Sequence, residues 1–290
     1  MLSDRVRAEL AQLAVSRVPQ RAEPRRVPPP ARPDADALER EPHARRYGNH
    51  HGEHLRFCRP LAELLPGVER HVAGALARRG GAPARLHAEL ASAARHFPEA
   101  TLFMDLETCG FAGSPVFLVG LVRCSGGSLV IDQLLARHYA EERALLTTFW
   151  QLAAGCRTLV TFNGKSFDWP MVLDRSRRHL LHRTDGIRFP RTAAAKANRP
   201  LPGGDTWVHC DLLHHARRQW KGLLPDCKLQ TLEQYVCRRR RRGDLGGAHV
   251  PAAYHDFVRT GAPAAMRSIL LHNALDLATL VQLTCVLLAC

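Results

Sequence analysis

The sequence predicts an α/β domain, a mixed β-sheet flanked by helices, over residues 99–290. Two observations carry that prediction. TLFMDLET, VFLVGLVRC and SLVIDQLLA are short apolar runs separated by the turn-like GFAGSP and by Gly126 and Gly127, so three successive strands are joined by short turns. After them, helical and strand patterns alternate, which places helices on the faces of a sheet that gains parallel neighbours.

Each element has its own local reason. EERALLTTFWQLAA opens with acids and repeats apolar residues at helical spacing, so it predicts a helix. TLVTFNG predicts a buried strand, and FDWPMVLDRSRRHL a helix with Pro170 in its first turn, where proline is tolerated. VHCDLLHHARRQW predicts a strand leading into a helix, and KLQTLEQYV a short helix that stops at the run Arg238 to Arg242. A long last helix is expected over 264–288, with Ile269, Leu270, His272, Asp276, Leu280 and Leu283 around it. No glycine-rich phosphate loop follows a strand, so dinucleotide and Walker-type sites have no support.

Upstream of the domain the texture differs. Residues 1–45 carry Arg, Ala and Pro in runs such as RAEPRRVPPPARPDADALEREPHARR, with little to bury and several helix-interrupting prolines. A poorly ordered arm is expected there, with a short helix near its start. Residues 46–98 are expected to be a helical or irregular extension, Ala-rich and broken at RRGGAP. The acids Asp4, Glu9 and Glu23 argue against a transit peptide. With no secretory apolar region after Met1 and no apolar run of membrane-span length, the expected location is the cytoplasm, with no membrane partner.

The formal net charge of +14 and pI of about 10.1 favour polyanionic partners, DNA or RNA, although an Arg-rich composition would produce the same bias. Nine cysteines without a Cys-x-x-Cys pair suit buried, reduced thiols better than a disulfide framework or a zinc ribbon. His43, His50, His51, His54 and Cys58 cluster before the domain. They are metal candidates, but their spacing matches no structural zinc pattern, and solvated loop histidines are the favoured expectation.

Asp105 and Glu107 stand two apart in the first strand, hence on one face with Phe103, while Met104 and Leu106 face the other way. Asp168 opens the helix after TFNGKSF, where a mere helix cap is the plain alternative. His272 and Asp276 lie four apart on one face of the last helix. If they converge, four carboxylates form a hard-oxygen site suited to two Mg²⁺ or Mn²⁺ ions, which relieve the repulsion between like charges and clamp a phosphoryl group in transfer.

The order Asp-x-Glu-Thr, Asn-Gly-x-x-Phe-Asp-x-Pro and His-Asn-x-x-Asp resembles the three exonuclease motifs of the DEDD superfamily of RNase H-like 3′ to 5′ exonucleases. More narrowly, DLETCGFAGSPVFLVGLV, LVTFNGKSFDWP, CDLLHHARRQW, CKLQTLE, RRGDLGG and ILLHNALDLATL together resemble the YprB-type ribonuclease H-like domain. The resemblance implies an RNase H-like fold and a metal-dependent nuclease, with Asp105, Glu107, Asp168 and Asp276 as metal ligands. It implies for His272 the place of the residue that orients or deprotonates the attacking water. His272 lies four before the last Asp, the spacing typical of the Tyr subgroup rather than the five of the His subgroup.

Around this set, Asn163 and Lys165 are candidates for contacting phosphate or the metal shell. Arg238, Arg239, Arg240, Arg241 and Arg242 are candidates for the phosphate backbone, with Arg177, Arg178, Arg183 and Arg188 as a possible extension. Phe167 and Trp169 are expected in the core rather than as a stacking platform, and Asp211 and Asp244 are expected to support the site rather than bind metal. The competing expectation is a nucleic-acid-binding module that keeps the fold and works without cleavage.

Overall fold

The computed structural model describes residues 37–78, 86–110, 113–193, 206–241 and 247–289, all within the unit Asp34–Cys290. Its centre is an eight-stranded sheet. The strands are β1 (Ala44–Asn49), β2 (Gly52–Pro60), β3 (Thr101–Thr108), β4 (Val116–Ser125), β5 (Ser128–Leu135), β6 (Thr158–Thr161), β7 (Arg191–Ala193) and β8 (Thr206–Asp211), in the spatial order β1-β2-β5-β4-β3-β6-β8-β7.

The three predicted hairpin strands are present, with β3 antiparallel to β4 and β4 to β5. Beyond β3 the neighbours are parallel: β6 pairs with β3, and β8 with β6. The mixed sheet follows from the connections, since short turns allow only antiparallel neighbours and helical crossovers return the chain parallel. β4 reads as a continuous apolar run because it is covered on both faces, with Val116 to Val122 buried throughout.

The described α-helices are α1 (Val68–Arg78), α2 (Ala88–His96), α3 (Glu142–Leu152), α4 (Asp168–Arg178), α5 (Leu181–Thr184), α6 (Leu212–Trp220), α7 (Leu229–Tyr235), α8 (Val250–Thr260) and α9 (Ala264–Ala289). They divide the core in two. Met104, Leu118, Phe149, Trp169 and Tyr254 belong to one apolar cluster, and Phe103, Val122, Val160, Leu232 and Leu277 to the other. Phe103 and Met104 fall in different clusters, as alternation along β3 requires.

Several expectations change upstream of β3. The segment expected to be helical or irregular supplies β1 and β2, and β2 extends the sheet through its antiparallel pairing with β5. The alternation that marks β2 is hidden in sequence because Arg56 faces a carboxylate: Asp132, fully buried on β5, accepts from Arg56 Nε at 2.7 Å and Arg123 Nε at 2.8 Å. Most of the expected arm lies outside the described residues. Its last part is a 3-10 turn, Ala37–Arg40, whose Leu38 packs into the core, followed by the start of β1. Helix α8 was not read from the sequence at all.

Helix α9 corrects the expectation that no apolar run reaches membrane length. By length and composition it is apolar enough to cross a membrane, but 78% of its most apolar window is buried in the fold. Its apolar residues point all round because it packs against the sheet on one side and against α1, α7 and α8 on others. Arg267, His272 and Asp276 punctuate the run in sequence and mask its length.

A buried carboxylate ties the opposite layer together. Glu142, 2% exposed, accepts from the Val116 amide at 2.8 Å, from Arg175 at 2.7 and 2.5 Å, and contacts His179 Nε2 at 2.9 Å. Glu142→Ala leaves Arg175 without its counter-charge and is expected to cost roughly 3–5 kcal/mol of unfolding free energy in urea melts. The pair Glu142→Ala with Arg175→Ala is expected to cost less than the sum of the single variants.

Candidate active site

The floor of the site is a row across three strands. Asp105 pairs with Gly120, and Gly120 with Gln133, so the three residues share one face of the sheet. Helix α9 is pressed onto this row. A Cβ at Gly120 would stand 2.1 Å from Asn273 Oδ1, so only glycine admits Asn273 at this depth. Buried Asn273 accepts from Gln133 Nε2 at 2.9 Å and donates through Nδ2 to Asp105 Oδ2 at 2.8 Å. Gln133 also donates to the Leu270 carbonyl at 2.7 Å. The Asn273 amide is thereby partnered through both its oxygen and its nitrogen, and the Asp105 carboxyl is aimed.

Asp168 arrives from the other side of β3. It is the first residue of α4, following the Asn163–Gly164 turn at the end of β6. Asn163 adopts a left-handed φ of 64°, which asparagine tolerates. A Cβ at Gly164 would meet Thr161 at 2.4 Å and Asp168 Oδ2 at 2.8 Å, so glycine is required for Asp168 to fold back toward the strand. Asp211, fully buried, clamps this turn: it accepts from the amides of Asn163 at 2.8 Å and Lys165 at 3.1 Å, and caps α6 through Leu213 N at 3.1 Å. It therefore shapes the site, as expected, without entering it. Asp244 lies outside the described residues.

The electrostatics place Asp105 in the field of three other acids. Burial pushes the Asp105 carboxyl well above its usual range, and the negative charges of Asp276, Glu107 and Asp168 add to it, against the hydrogen bond from Asn273. Burial also raises Asp168 to about 7, helped by Asp211 and opposed by backbone amides including that of Leu106. Asp105 and Asp168 thus both resist ionising, Asp105 in the field of three other carboxyls. Such a donor set, all oxygen and excess negative charge, fits Mg²⁺ or Mn²⁺, whose charge would release the protons.

Asp276 and His272 face the same cleft of about 690 Å³, which Asp105, Phe162, Asn163, Arg217 and Lys228 also line. His272 Nε2 lies 3.2 Å from Asp276 Oδ2. The other Asp276 oxygen accepts from Arg241, whose Nε donates to buried Glu233 at 2.6 Å.

That pairing alters the expected basic surface. Arg238 and Arg240 are exposed, whereas the Arg241 side chain is only 7% exposed between Glu233 and Asp276, and Arg239 bonds Thr279 Oγ1 at 2.5 Å. Arg239 and Arg241 turn inward while Arg238, at a left-handed φ of 55°, and Arg240 face out. Arg242 lies outside the described residues. Lys165 also turns away from the expected phosphate contact. Its Nζ donates to Glu89 Oε1 at 2.6 Å, and burial notwithstanding, His215 and Lys165 hold Glu89 down at about 2. Arg177 lies over the Phe189 ring and Arg178 pairs with Asp174, within their own helical region.

Trp169 is core, packed with Trp150 and Trp207, but Phe167 is 64% exposed and leaves the predicted core. Arg217 and Lys228 in the cleft carry no role in the sequence prediction. Both stand in quoted motifs, HARRQW and CKLQTLE, and a cation there was the available signal.

A sheet of this order with an acidic floor defines a ribonuclease H-like domain, a nuclease-type fold. Residues 102–288 match the family model described as RNase_H superfamily, and the chain belongs to that superfamily. The chain is similar to the Bacillus subtilis (strain 168) protein "Uncharacterized protein YprB", with 34% identity over 184 residues. The match covers 62% of this chain and 40% of the relative's length. The family B DNA polymerase of the hyperthermophilic archaeon Pyrobaculum calidifontis is similar at a TM-score of 0.47 and 15% identity, over 64% of this chain and 24% of that one.

Two expectations follow. The Asp168 carboxyl is raised on folding, so its contribution to stability is present at pH below its ordinary 3.8 and is lost as pH rises through about 7. In thermal melts the Mn²⁺-induced rise in Tm should therefore be larger at pH 8 than at pH 5. Gly120→Ala should lower stability by about 1–3 kcal/mol through overpacking against Asn273, and weaken Mn²⁺ binding measured calorimetrically.

Proposed function

We propose that the chain is a divalent-metal-dependent nuclease that hydrolyses phosphodiester bonds in DNA or RNA, as a 3′ to 5′ exonuclease with two metal ions. The observation that carries this is the buried Asp105, which feels the charges of Asp276, Glu107 and Asp168 and lines one cleft with Asp276, His272, Arg217 and Lys228. Clustered acids destabilise a fold unless a cation compensates them, so retaining all four favours catalysis over a binding-only role.

Asp105, Glu107, Asp168 and Asp276 would hold two Mg²⁺ or Mn²⁺ ions. Bound there, the ions supply charge neutralisation and Lewis acidity at the scissile phosphate. The remaining work belongs to the chain. Asn273 keeps the Asp105 oxygen oriented, so the ligand need not reorganise on binding. His272, with its Nε2 near Asp276 and its ring facing the cleft, would accept the proton of the attacking water. Arg217, Lys228 and the outward Arg238 and Arg240 offer cations to the strand's phosphates, and exposed Phe167, next to Asp168, offers a face for a base. None of these contacts reads sequence, so a sequence-tolerant enzyme is the expectation.

The test is digestion of end-labelled single-stranded, duplex and hybrid substrates with Mg²⁺ or Mn²⁺. Wild type should release mononucleotides from the 3′ end, and Asp105→Asn should be slower by at least about 100-fold, since metal-site stabilisation supplies several kcal/mol and each 1.4 kcal/mol is about tenfold. No cleavage of any substrate with either metal, together with no calorimetric uptake of Mn²⁺, would replace this proposal by the binding module.

A further inference from the structure

Away from the acidic cleft, the turn between β1 and β2 carries His50 and His51, and the chain brings Asp185 to meet them from the end of α5. His51 Nε2 lies 2.8 and 2.9 Å from the two Asp185 oxygens, and His50 Nε2 also contacts Oδ1. One nitrogen from each imidazole and a carboxylate oxygen all stand within 4.8 Å of one another. We propose that His50, His51 and Asp185 form a site for a zinc-class divalent ion, separate from the carboxylate site.

The donor chemistry distinguishes this place from the acidic floor. Two imidazoles with one carboxylate suit Zn²⁺, whereas an all-oxygen set suits Mg²⁺ or Mn²⁺. A tetrahedral ion with bonds of about 2.0–2.1 Å separates its donors by roughly 3.3 Å, so side chains now in direct contact need to spread by no more than about an ångström. Three protein ligands leave a fourth position. His50 and Asp185 both line a cleft of about 600 Å³ with Thr147, Trp150 and Gly186, and that cleft can supply the fourth ligand as water or a small anion.

The ligands are also held before any ion arrives. Asn49 Oδ1 accepts from the His51 amide at 3.0 Å, and Asn49 Nδ2 donates to the Ala144 carbonyl at 2.8 Å and Thr148 Oγ1 at 3.1 Å. The turn is thereby fastened to α3. The Asp185 carboxyl is 5% exposed and takes a further hydrogen bond from Thr184 Oγ1 at 2.8 Å. A comparable trio, His87, Glu89 and His215, differs in one decisive respect: the Lys165 ammonium already sits 2.6 Å from Glu89 and supplies the cation. Asp185 is hydrogen-bonded to the two imidazoles and to Thr184 Oγ1.

An ion at this position would fasten the β1–β2 hairpin to the α5 end of the domain, adding a cross-link between residues 135 apart in sequence. The spacing of the histidines alone carried no zinc signature because the third ligand is so distant in the chain.

The experiment measures zinc retained by the full chain after dialysis with excess Mg²⁺, which occupies the oxygen site. Wild type should keep one zinc per chain, and Asp105→Asn should keep it too. His50→Ala with His51→Ala, and separately Asp185→Asn, should lose it. Because the His50 ring is 59% exposed, His50→Ala alone tests the site with least risk to folding, and should weaken zinc retention. Co²⁺ in place of zinc should give the intense visible absorption of a four-coordinate ion, reduced in the same variants. No zinc in wild type, retention unchanged in the double variant, or loss in Asp105→Asn alone would overturn the proposal.

Discussion

Like charges held together in a poorly solvated place set the terms for this structure. A carboxylate beside Asp276, Glu107 and Asp168 loses free energy by ionising, and Asp105 accordingly resists giving up its proton. Such an arrangement persists only if the surrounding scaffold is stiff. Here the stiffness comes from one contact, the fit of Asn273 against a glycine. Gly120 has no side chain, so α9 can lie close enough for its amide to bridge Asp105 on one strand and Gln133 two strands away. The apolar bulk of α9, with Ala274, Leu277 and Leu280 buried, supplies the burial energy that holds this polar bridge in place.

The same economy governs the second acid. Asp168 stands at a helix start whose approach depends on two backbone requirements, a left-handed Asn163 and a side-chain-free Gly164, with Asp211 bonding the turn from behind. Residues that never touch a substrate thus decide where a ligand atom sits. Gln133, Asn273 and Asp211 are fully or almost fully buried and each is hydrogen-bonded into its surroundings, which is how a polar network rigidifies a core.

Basic residues divide by the same accounting. A net charge of +14 suggests an open cationic face, but Arg239, Arg241 and Lys165 are engaged with Thr279, Glu233, Asp276 and Glu89. Arg241 is the clearest case: burial opposes its charge, and its hydrogen bonds to Glu233 and Asp276 restore it. What faces the cleft for phosphate is a smaller set, Arg217 and an exposed Lys228 that stands 3.6 Å from Asp226, with the outward-facing Arg238 and Arg240.

Legible in the chain alone were β3, β4, β5, β6 and β8, the boundaries of α4, α7 and α9, and the candidate acids. Those features are periodic or local: alternation in a strand, helical spacing, and short motifs whose residues act within a turn or two. Tertiary structure decided the rest. β1 and β2 were hidden because Arg56 sits inward against Asp132, a compensation visible only once two strands are paired. Phe167 and the inward arginines could not be sorted because exposure depends on which neighbours the fold supplies. Asp185 meets His50 and His51 across more than 130 residues, and the Gly120 contact joins a strand to a helix 153 positions later. No local pattern encodes such meetings, because they arise from the packing of whole elements rather than from the chain's own geometry.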